Sequence, residues 1–284
     1  MDQNKLPINI INIPFTTLYS EELLDLIKEH LKPSTSPLFI ATPNPEIILK
    51  SLSDSKYQQI IQNTDINIPD GNGIIWANHF NNSVKKYHNK ALISLIGVLS
   101  IFKYLLQPKN KAKRFHQTIH GSDLFKQICL DKEISQHKIF LLGNKEGIKP
   151  NVSELAAQKL QILNPQINIA GFYDSIPIDL KIIEKINVSQ AEIVFIAFGA
   201  PDQEIWIHYH LHELPTVRII MGIGGSFDFL TGIIPRAPKI IRKIGLEWVF
   251  RLSQQPFKRI RRIYNAFIVF PYQVIKHRIN HKQD

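Results

Sequence analysis

The chain has 284 residues, 44% of them hydrophobic, with a net charge of +10 and one cysteine, Cys129. That length and apolar content suit one large globular unit or a unit with an appendage, and a single cysteine excludes an intramolecular disulfide. The first residues, MDQNKLPINI, contain no basic region followed by an apolar run, so no secretory signal is expected and the chain reads as cytoplasmic.

Residues 8–13 (INIINI) and 38–42 (LFIAT) read as strands. Between them residues 20–31 read as a helix, with Ser20 as its cap and Leu23, Leu24, Ile27 and Leu31 at helical spacing. Thr42-Pro-Asn44-Pro-Glu46 then turns from strand to helix. Strand ends of this kind bind ligands in open α/β sheets, although the spacing fits an ordinary turn equally well. Residues 66–68 make a short strand that runs into Pro69-Asp70-Gly71-Asn72-Gly73. Asp70 therefore also stands at a strand end, where a carboxylate either takes a proton from a hydroxyl or caps the next helix.

Residues 83–117 hold eight Lys and Arg and no acid. Within them, residues 91–106 (ALISLIGVLSIFKYLL) are apolar nearly all round, with one lysine. That run is shorter than the ~20 residues that span a bilayer. It reads as a helix that dips into a membrane interface, packs on a partner or lies in the core.

A strand at 137–142 (HKIFLL) leads to the loop Gly143-Asn-Lys-Glu-Gly147, which can offer N–H groups and a helix amino end to a phosphate or ribose. A helix at 152–163 and a strand at 167–171 follow, then Phe172-Tyr173. The strand at 193–198 closes with Gly199-Ala-Pro-Asp202-Gln203-Glu204, where the Gln203 amide can both donate and accept. His208 and His212 have the i, i+4 spacing of a metal pair, but no third ligand accompanies them, and an exposed helix face is expected.

The apolar run 217–221 (VRIIM) suits a buried strand, and Gly222, Gly224, Gly225 and Asp228 follow it. From residue 236 to the end, twelve Lys and Arg face two acids, and an aromatic and aliphatic run (263–275, IYNAFIVFPYQVI) lies among them. Such a segment suits an anionic membrane surface, at about 1 kcal/mol per nearby cation. Nucleic acid and a merely solvated basic face are the rivals. Strands alternate with helices throughout, which predicts an α/β fold: a Rossmann-like, mainly parallel sheet with helices on both faces. The expected organisation is a catalytic core over 1–235, with the basic and apolar insertion at about 83–117, and a basic, helical, membrane-associating appendage over 236–284.

GIGGSFDFLTG, then PRAPK, then GLEW-x-x-R-L-x-x-Q-P is similar to the carboxyl-terminal signature of the WecG/TagA/CpsF glycosyltransferases. Thr42-x-Asn44-Pro, Pro-Asp70-Gly, Gly121-x-Asp123-Leu124 and Gly199-x-Pro-x-Gln203-Glu204 resemble further motifs of that family. Thr118 stands where the family has an arginine and Asp202 where it has a lysine, and the insertion at 83–117 has no family counterpart.

The resemblance implies a UDP-sugar donor (N-acetylmannosamine, its uronic acid, or glucose) and a polyprenyl-diphosphate-linked saccharide acceptor. The enzyme would lie peripherally on the inner face of the cell membrane, in cell-surface polysaccharide synthesis. It implies Asp70 as catalytic base, with Thr42, Asn44 and Gln203 beside it. Gly143, Tyr173, Gly224, Gly225 and Asp228 would hold the nucleotide, and Arg251, Lys258 and Arg261 would close over the diphosphate. With Thr118 lacking the family's charge, Arg114 or a tail cation would substitute.

None of the twelve aspartates forms an Asp-x-Asp pair, so transfer without a metal or other cofactor is expected, with preorganised cations taking the charge of the leaving UDP. Arg251, Lys258 and Arg261 are spaced to share one helix face. One base without a nucleophilic carboxylate predicts inversion. The oligomeric state is open between monomer and homo-oligomer, and no nucleic-acid partner is expected. A dinucleotide-dependent oxidoreductase would need a G-x-G-x-x-G after the first strand, which is absent. A non-catalytic membrane or nucleic-acid binder would not need Asp70, Gln203 and glycine loops at strand ends.

Overall fold

The computed structural model describes residues 7–33, 35–106, 121–144, 151–233 and 256–281, with the single positions 238 and 252. Six parallel strands form the central sheet: β3 (Leu38–Ala41), β4 (Ile66–Asn67), β5 (Ile139–Asn144), β6 (Ile169–Ser175), β7 (Ile193–Ile196) and β8 (Ile219–Gly222). Their spatial order is β4-β3-β8-β7-β5-β6, so β4 and β6 are the edges. β1 (Ile8–Ile10) and β2 (Ile13–Phe15) form a separate antiparallel pair.

Strand alternation divides the core into two layers. Leu38, Ile40, Leu141, Ile193, Phe195, Ile219 and Met221 face α1 (Ser20–His30), α6 (Gly121–Leu130), α7 (Val152–Leu163) and α10 (Ser226–Thr231). The residues between them, among them Phe39, Ala41, Phe140, Leu142, Val194, Ile196 and Ile220, face α3 (Ser55–Gln62), α8 (Lys181–Ser189) and α9 (Asp202–His210). Both faces of the sheet are covered, which is why these strands read as continuous apolar runs.

A second cluster lies beside the sheet. It gathers β1 and β2, α2 (Pro45–Ser53), α4 (Asn72–Val84), α5 (Lys90–Leu106) and the carboxyl-terminal helices. Those helices are α11 (Pro256–Tyr264), a π-helical turn (Asn265–Val269) and α12 (Phe270–Asn280). Phe270 and Val274 are buried with Ile74, Trp76 and Phe80. The described part of the basic tail therefore packs against the core.

Three expectations change. Residues 8–13 do not extend the parallel sheet: Ile11 and Asn12 take left-handed backbone angles and fold the run into a two-residue hairpin. β6 ends at Ser175, so Phe172 and Tyr173 lie inside a strand instead of after one. His212 falls beyond α9, in a 3-10 turn, so it and His208 do not share one helix.

Because Phe270 is fully buried where α12 meets α2 and α4, Phe270→Ala should destabilise the fold by about 3–5 kcal/mol. Urea unfolding of the full chain measures it. A loss under 1 kcal/mol would mean that the tail docks without supporting the core.

Candidate active site

The pairing of β3 with β4 continues past both strands. Ile68 N–H donates to the Ala41 carbonyl at 2.9 Å, and Asp70 N–H donates to the Pro43 carbonyl at 3.1 Å. These two bonds run the Asp70 loop alongside Thr42-Pro43-Asn44, so three residues expected at the site are neighbours. Asp70 is half-buried and Thr42 is buried. Gly121, at the amino end of α6, lies so near Thr42 that a Cβ there would stand 2.8 Å from its Cγ2.

The loop that carries Asp70 ends in Gly71, which holds φ +89° and occupies the N-cap position of α4 without a capping side chain. Asn44 caps α2: its Oδ1 accepts from Glu46 N–H at 2.9 Å and Ile47 N–H at 3.1 Å. That bond orients the amide and turns its Nδ2 end away from the cap.

On the other side of β3, the loops after β7 and β8 are joined by one side chain. Gln203 Oε1 accepts from Gly199 N–H at 3.1 Å and from Gly224 N–H at 3.0 Å, and Nε2 donates to Glu204 Oε1 at 2.6 Å. Gln203 is 2% exposed, and its amide braces the two loops against each other. Gly222 makes room for it, since a Cβ there would meet Gln203 Nε2 at 2.6 Å. Gly224 itself takes φ +51°, a conformation that favours glycine. Gly225 is exposed at the start of α10, with the Asp228 carboxylate on the same turn.

Glu204, which the sequence reading left unused, is completely buried. Its other oxygen accepts from the Tyr57 hydroxyl at 3.1 Å. Burial pushes its carboxyl up to about 7, against hydrogen bonds from Gln203 and Tyr57 that hold it down. The same environment, with the Glu204 charge, pushes the Tyr57 hydroxyl up. Lys50 Nζ ties α2 to this assembly by donating to the Ala200 carbonyl at 2.7 Å.

The far side of the sheet is built differently. β6, which carries Tyr173, stands five strand positions from β4, roughly 24 Å at the usual spacing, and β5, which carries Gly143, stands four. Tyr173 and Gly143 therefore stand apart from the Asp70 cluster. The Tyr173 hydroxyl donates to Asp179 at 2.8 Å and Lys185 lies over its ring. Gly143 is pressed against the Asp174 carboxylate, which accepts from Ser153 N–H at the first turn of α7. The α7 amino end, expected to receive a phosphate, is thus occupied by Asp174.

The tail returns to the rim. Arg262 Nε lies 3.2 Å from Glu46 Oε2, which places α11 at the amino end of α2, two residues from Asn44. Arg261 is exposed on the same helix. Arg251, Thr118 and the Lys258 side chain lie outside the described residues, as do residues 145–150. Among the described residues, no group of three His, Cys, Asp or Glu is placed to hold a metal ion.

A family model described as the glycosyl transferase WecG/TagA/CpsF family matches residues 8–100 and 96–284. A Bacillus subtilis (strain 168) protein is 30% identical over 251 residues, covering 88% of this chain and 84% of the relative. A Staphylococcus aureus (strain MRSA252) protein is 27% identical over 275 residues, covering 96% of this chain and 94% of the relative. Both relatives are named N-acetylglucosaminyldiphosphoundecaprenol N-acetyl-beta-D-mannosaminyltransferase.

The raised carboxyl of Glu204 gives a pH-dependent stability. Its folded value lies above the usual 4.5, so its contribution is present below about 4.5 and is lost as pH rises through about 7. Glu204→Gln mimics the neutral acid and should remove that dependence. Between pH 5 and 8 the wild type should lose up to about 3 kcal/mol relative to the variant in thermal melts. A constant difference across that range would show that Glu204 keeps one protonation state.

Proposed function

The chain belongs to the WecG/TagA/CpsF family of glycosyl transferases, and on that premise we propose that it moves an N-acetylmannosamine-type sugar from UDP to a polyprenyl-diphosphate-linked N-acetylglucosamine. The names of both relatives support the acceptor and the sugar. The observation that carries the mechanism is the backbone pairing that sets Asp70 beside Thr42 and Asn44 at the ends of β3 and β4.

In this reading the Asp70 carboxylate accepts the proton of the acceptor hydroxyl. The freed oxygen forms a bond to the anomeric carbon, and the bond from that carbon to the diphosphate oxygen breaks. UDP leaves from the opposite side, so the sugar is inverted. Thr42 and Asn44 orient the acceptor and donor around the reacting carbon. Gly224, Gly225 and Asp228 line the donor side, where the Gln203 brace holds the loop in one shape. Arg261, with Arg251 and Lys258 of the same tail, supplies positive charge for the developing diphosphate in place of a metal. The Arg262–Glu46 contact supports this by bringing α11 to the rim. Tyr173 and Gly143 are given no direct part, because they stand on β6 and β5, five and four strand positions from β4.

A lipid-linked acceptor requires an enzyme that works at a membrane face. Among the described residues, no helix is long and apolar enough to cross a membrane. The basic carboxyl-terminal segment supports peripheral attachment to the anionic inner face.

The test is UDP release from a panel of UDP-sugars with a short-chain lipid-diphosphate acceptor, with and without chelator. Acceptor-dependent release should survive chelation. Asp70→Asn should bind UDP with unchanged affinity by calorimetry and transfer at least ~10²-fold more slowly. Wild-type turnover in this variant would remove Asp70 from the role of base.

A further inference from the structure

We propose that α5 is a bilayer anchor: its outer side inserts into the interface of an anionic membrane, next to the carboxyl-terminal helices. The proposal deepens the membrane-peripheral reading above and rests on it. It assigns a partner to the insertion for which the family resemblance supplied none.

One side of α5 is committed to the protein. Ile93 is buried, and the Ser100 hydroxyl accepts from the Trp76 indole N–H at 3.0 Å. Gly97 lies so near α12 and α4 that a Cβ would stand 2.5 Å from Ile275 and 3.2 Å from Phe80. The opposite side is apolar and open. Leu95, Leu99 and Phe102 are 55%, 58% and 61% exposed, and Leu92 and Val98 are exposed with them. Positions 92, 95, 99 and 102 follow the three-and-four spacing of a single helical stripe. Five large apolar side chains exposed over three turns is more than scattered surface hydrophobics explain.

The neighbouring helices repeat the pattern. Ile260, Tyr264, Ile268 and Tyr272 are all exposed and recur every four residues along α11, the π turn and α12. α5 and α12 each rest on α4 and on one another, so the sides they turn from α4 belong to one surface.

Charge selects the occupant. Residues 85–106 contain four lysines and no acid, and residues 256–281 contain six Lys and Arg and no acid. A second copy docked face to face would set these cations against their own kind, with no carboxylate within either segment to answer them. Anionic headgroups neutralise them instead, while the leucines and Phe102 enter the acyl boundary. Lysine stems beside such rings let the ammonium reach the headgroups, and Lys276 Nζ stands 6.0 Å over the Tyr272 ring. The Arg262–Glu46 contact ties this face to the rim that carries Asn44, so docking would bring that rim to the membrane plane where a lipid-diphosphate emerges.

The experiment compares the full chain with Leu95→Gln/Leu99→Gln/Phe102→Gln by sedimentation with phosphatidylglycerol-containing vesicles and with pure phosphatidylcholine vesicles. The triple variant should melt like the wild type and bind anionic vesicles at least about tenfold more weakly. It should keep full turnover on a water-soluble short-chain acceptor and lose turnover on a long-chain acceptor held in vesicles. A single Leu99→Cys labelled with an environment-sensitive fluorophore should blue-shift on anionic vesicles.

Unchanged vesicle binding by the triple variant, or no blue shift, overturns the proposal. So does a fall in assembly mass by light scattering in the variant, which would make α5 an interface between copies. Failure of the wild type to release UDP from any donor would instead remove the transferase reading and leave the vesicle result standing.

Discussion

The Gln203 side chain is the interaction on which the rest of the candidate site depends. One amide oxygen takes hydrogen bonds from two loops that belong to different strands, and its nitrogen is held by a buried carboxylate. Without that amide, two backbone N–H groups beside the sheet would need other partners, and leaving them unpaired costs on the order of 1–3 kcal/mol each. The glycine after Met221 and the burial of Glu204 follow from the same requirement. A side chain at Gly222 would displace the amide, and any opening at Glu204 would hydrate its anchor. The glycine loop after β8 is therefore specified from beneath, by buried groups.

The Asp70 side is held by a different means. Its loop continues the parallel pairing for two bonds beyond the strands, and packing then secures the helices that follow. Gly73, in the first turn of α4, sits against Pro45 of α2 and within van der Waals reach of the Phe270 ring. The last helix thus wedges the two helix starts that succeed Asn44 and Asp70. This gives the basic tail a structural reason to lie near the rim, because its apolar residues belong to the cluster that positions those starts. The surface pair Arg262–Glu46 adds little energy of its own, since exposed ion pairs contribute about 0–1 kcal/mol. Its value is as a marker of where α11 lies.

Legibility in the sequence divided along physical lines. Buried parallel strands announce themselves as short β-branched runs, so 193–198 and 217–221 matched β7 and β8 within two or three residues. Helix α7 matched at both ends because its apolar spacing and flanking Asn residues mark them. Thr42, Asn44 and Asp70 were legible as strand-end residues, and the family resemblance identified them as a group. Glu204 and Tyr57 were not: they lie 147 residues apart, and a helical glutamate ordinarily reads as solvent-facing. The inward position of Glu204 follows from the rotation of α9 against the sheet, which local pattern does not contain.

The sequence by itself determined the fold class, the strand ends that carry polar loops, and the concentration of positive charge at 83–117 and after residue 235. These depend on composition and on periods of two and of about 3.6 residues, which are local properties. Only the tertiary structure decided which strand ends are neighbours. The order β4-β3-β8-β7-β5-β6 joins Asp70 to Thr42 and the β8 glycine loop, and carries Tyr173 to the far edge and Gly143 to the strand beside it. It also decided that residues 8–13 fold back as a hairpin, that the α7 amino end is filled by Asp174, and that the tail packs into the core. Each of these is a contact between segments distant in sequence, fixed by which apolar faces bury one another and which polar groups that burial leaves to be paired.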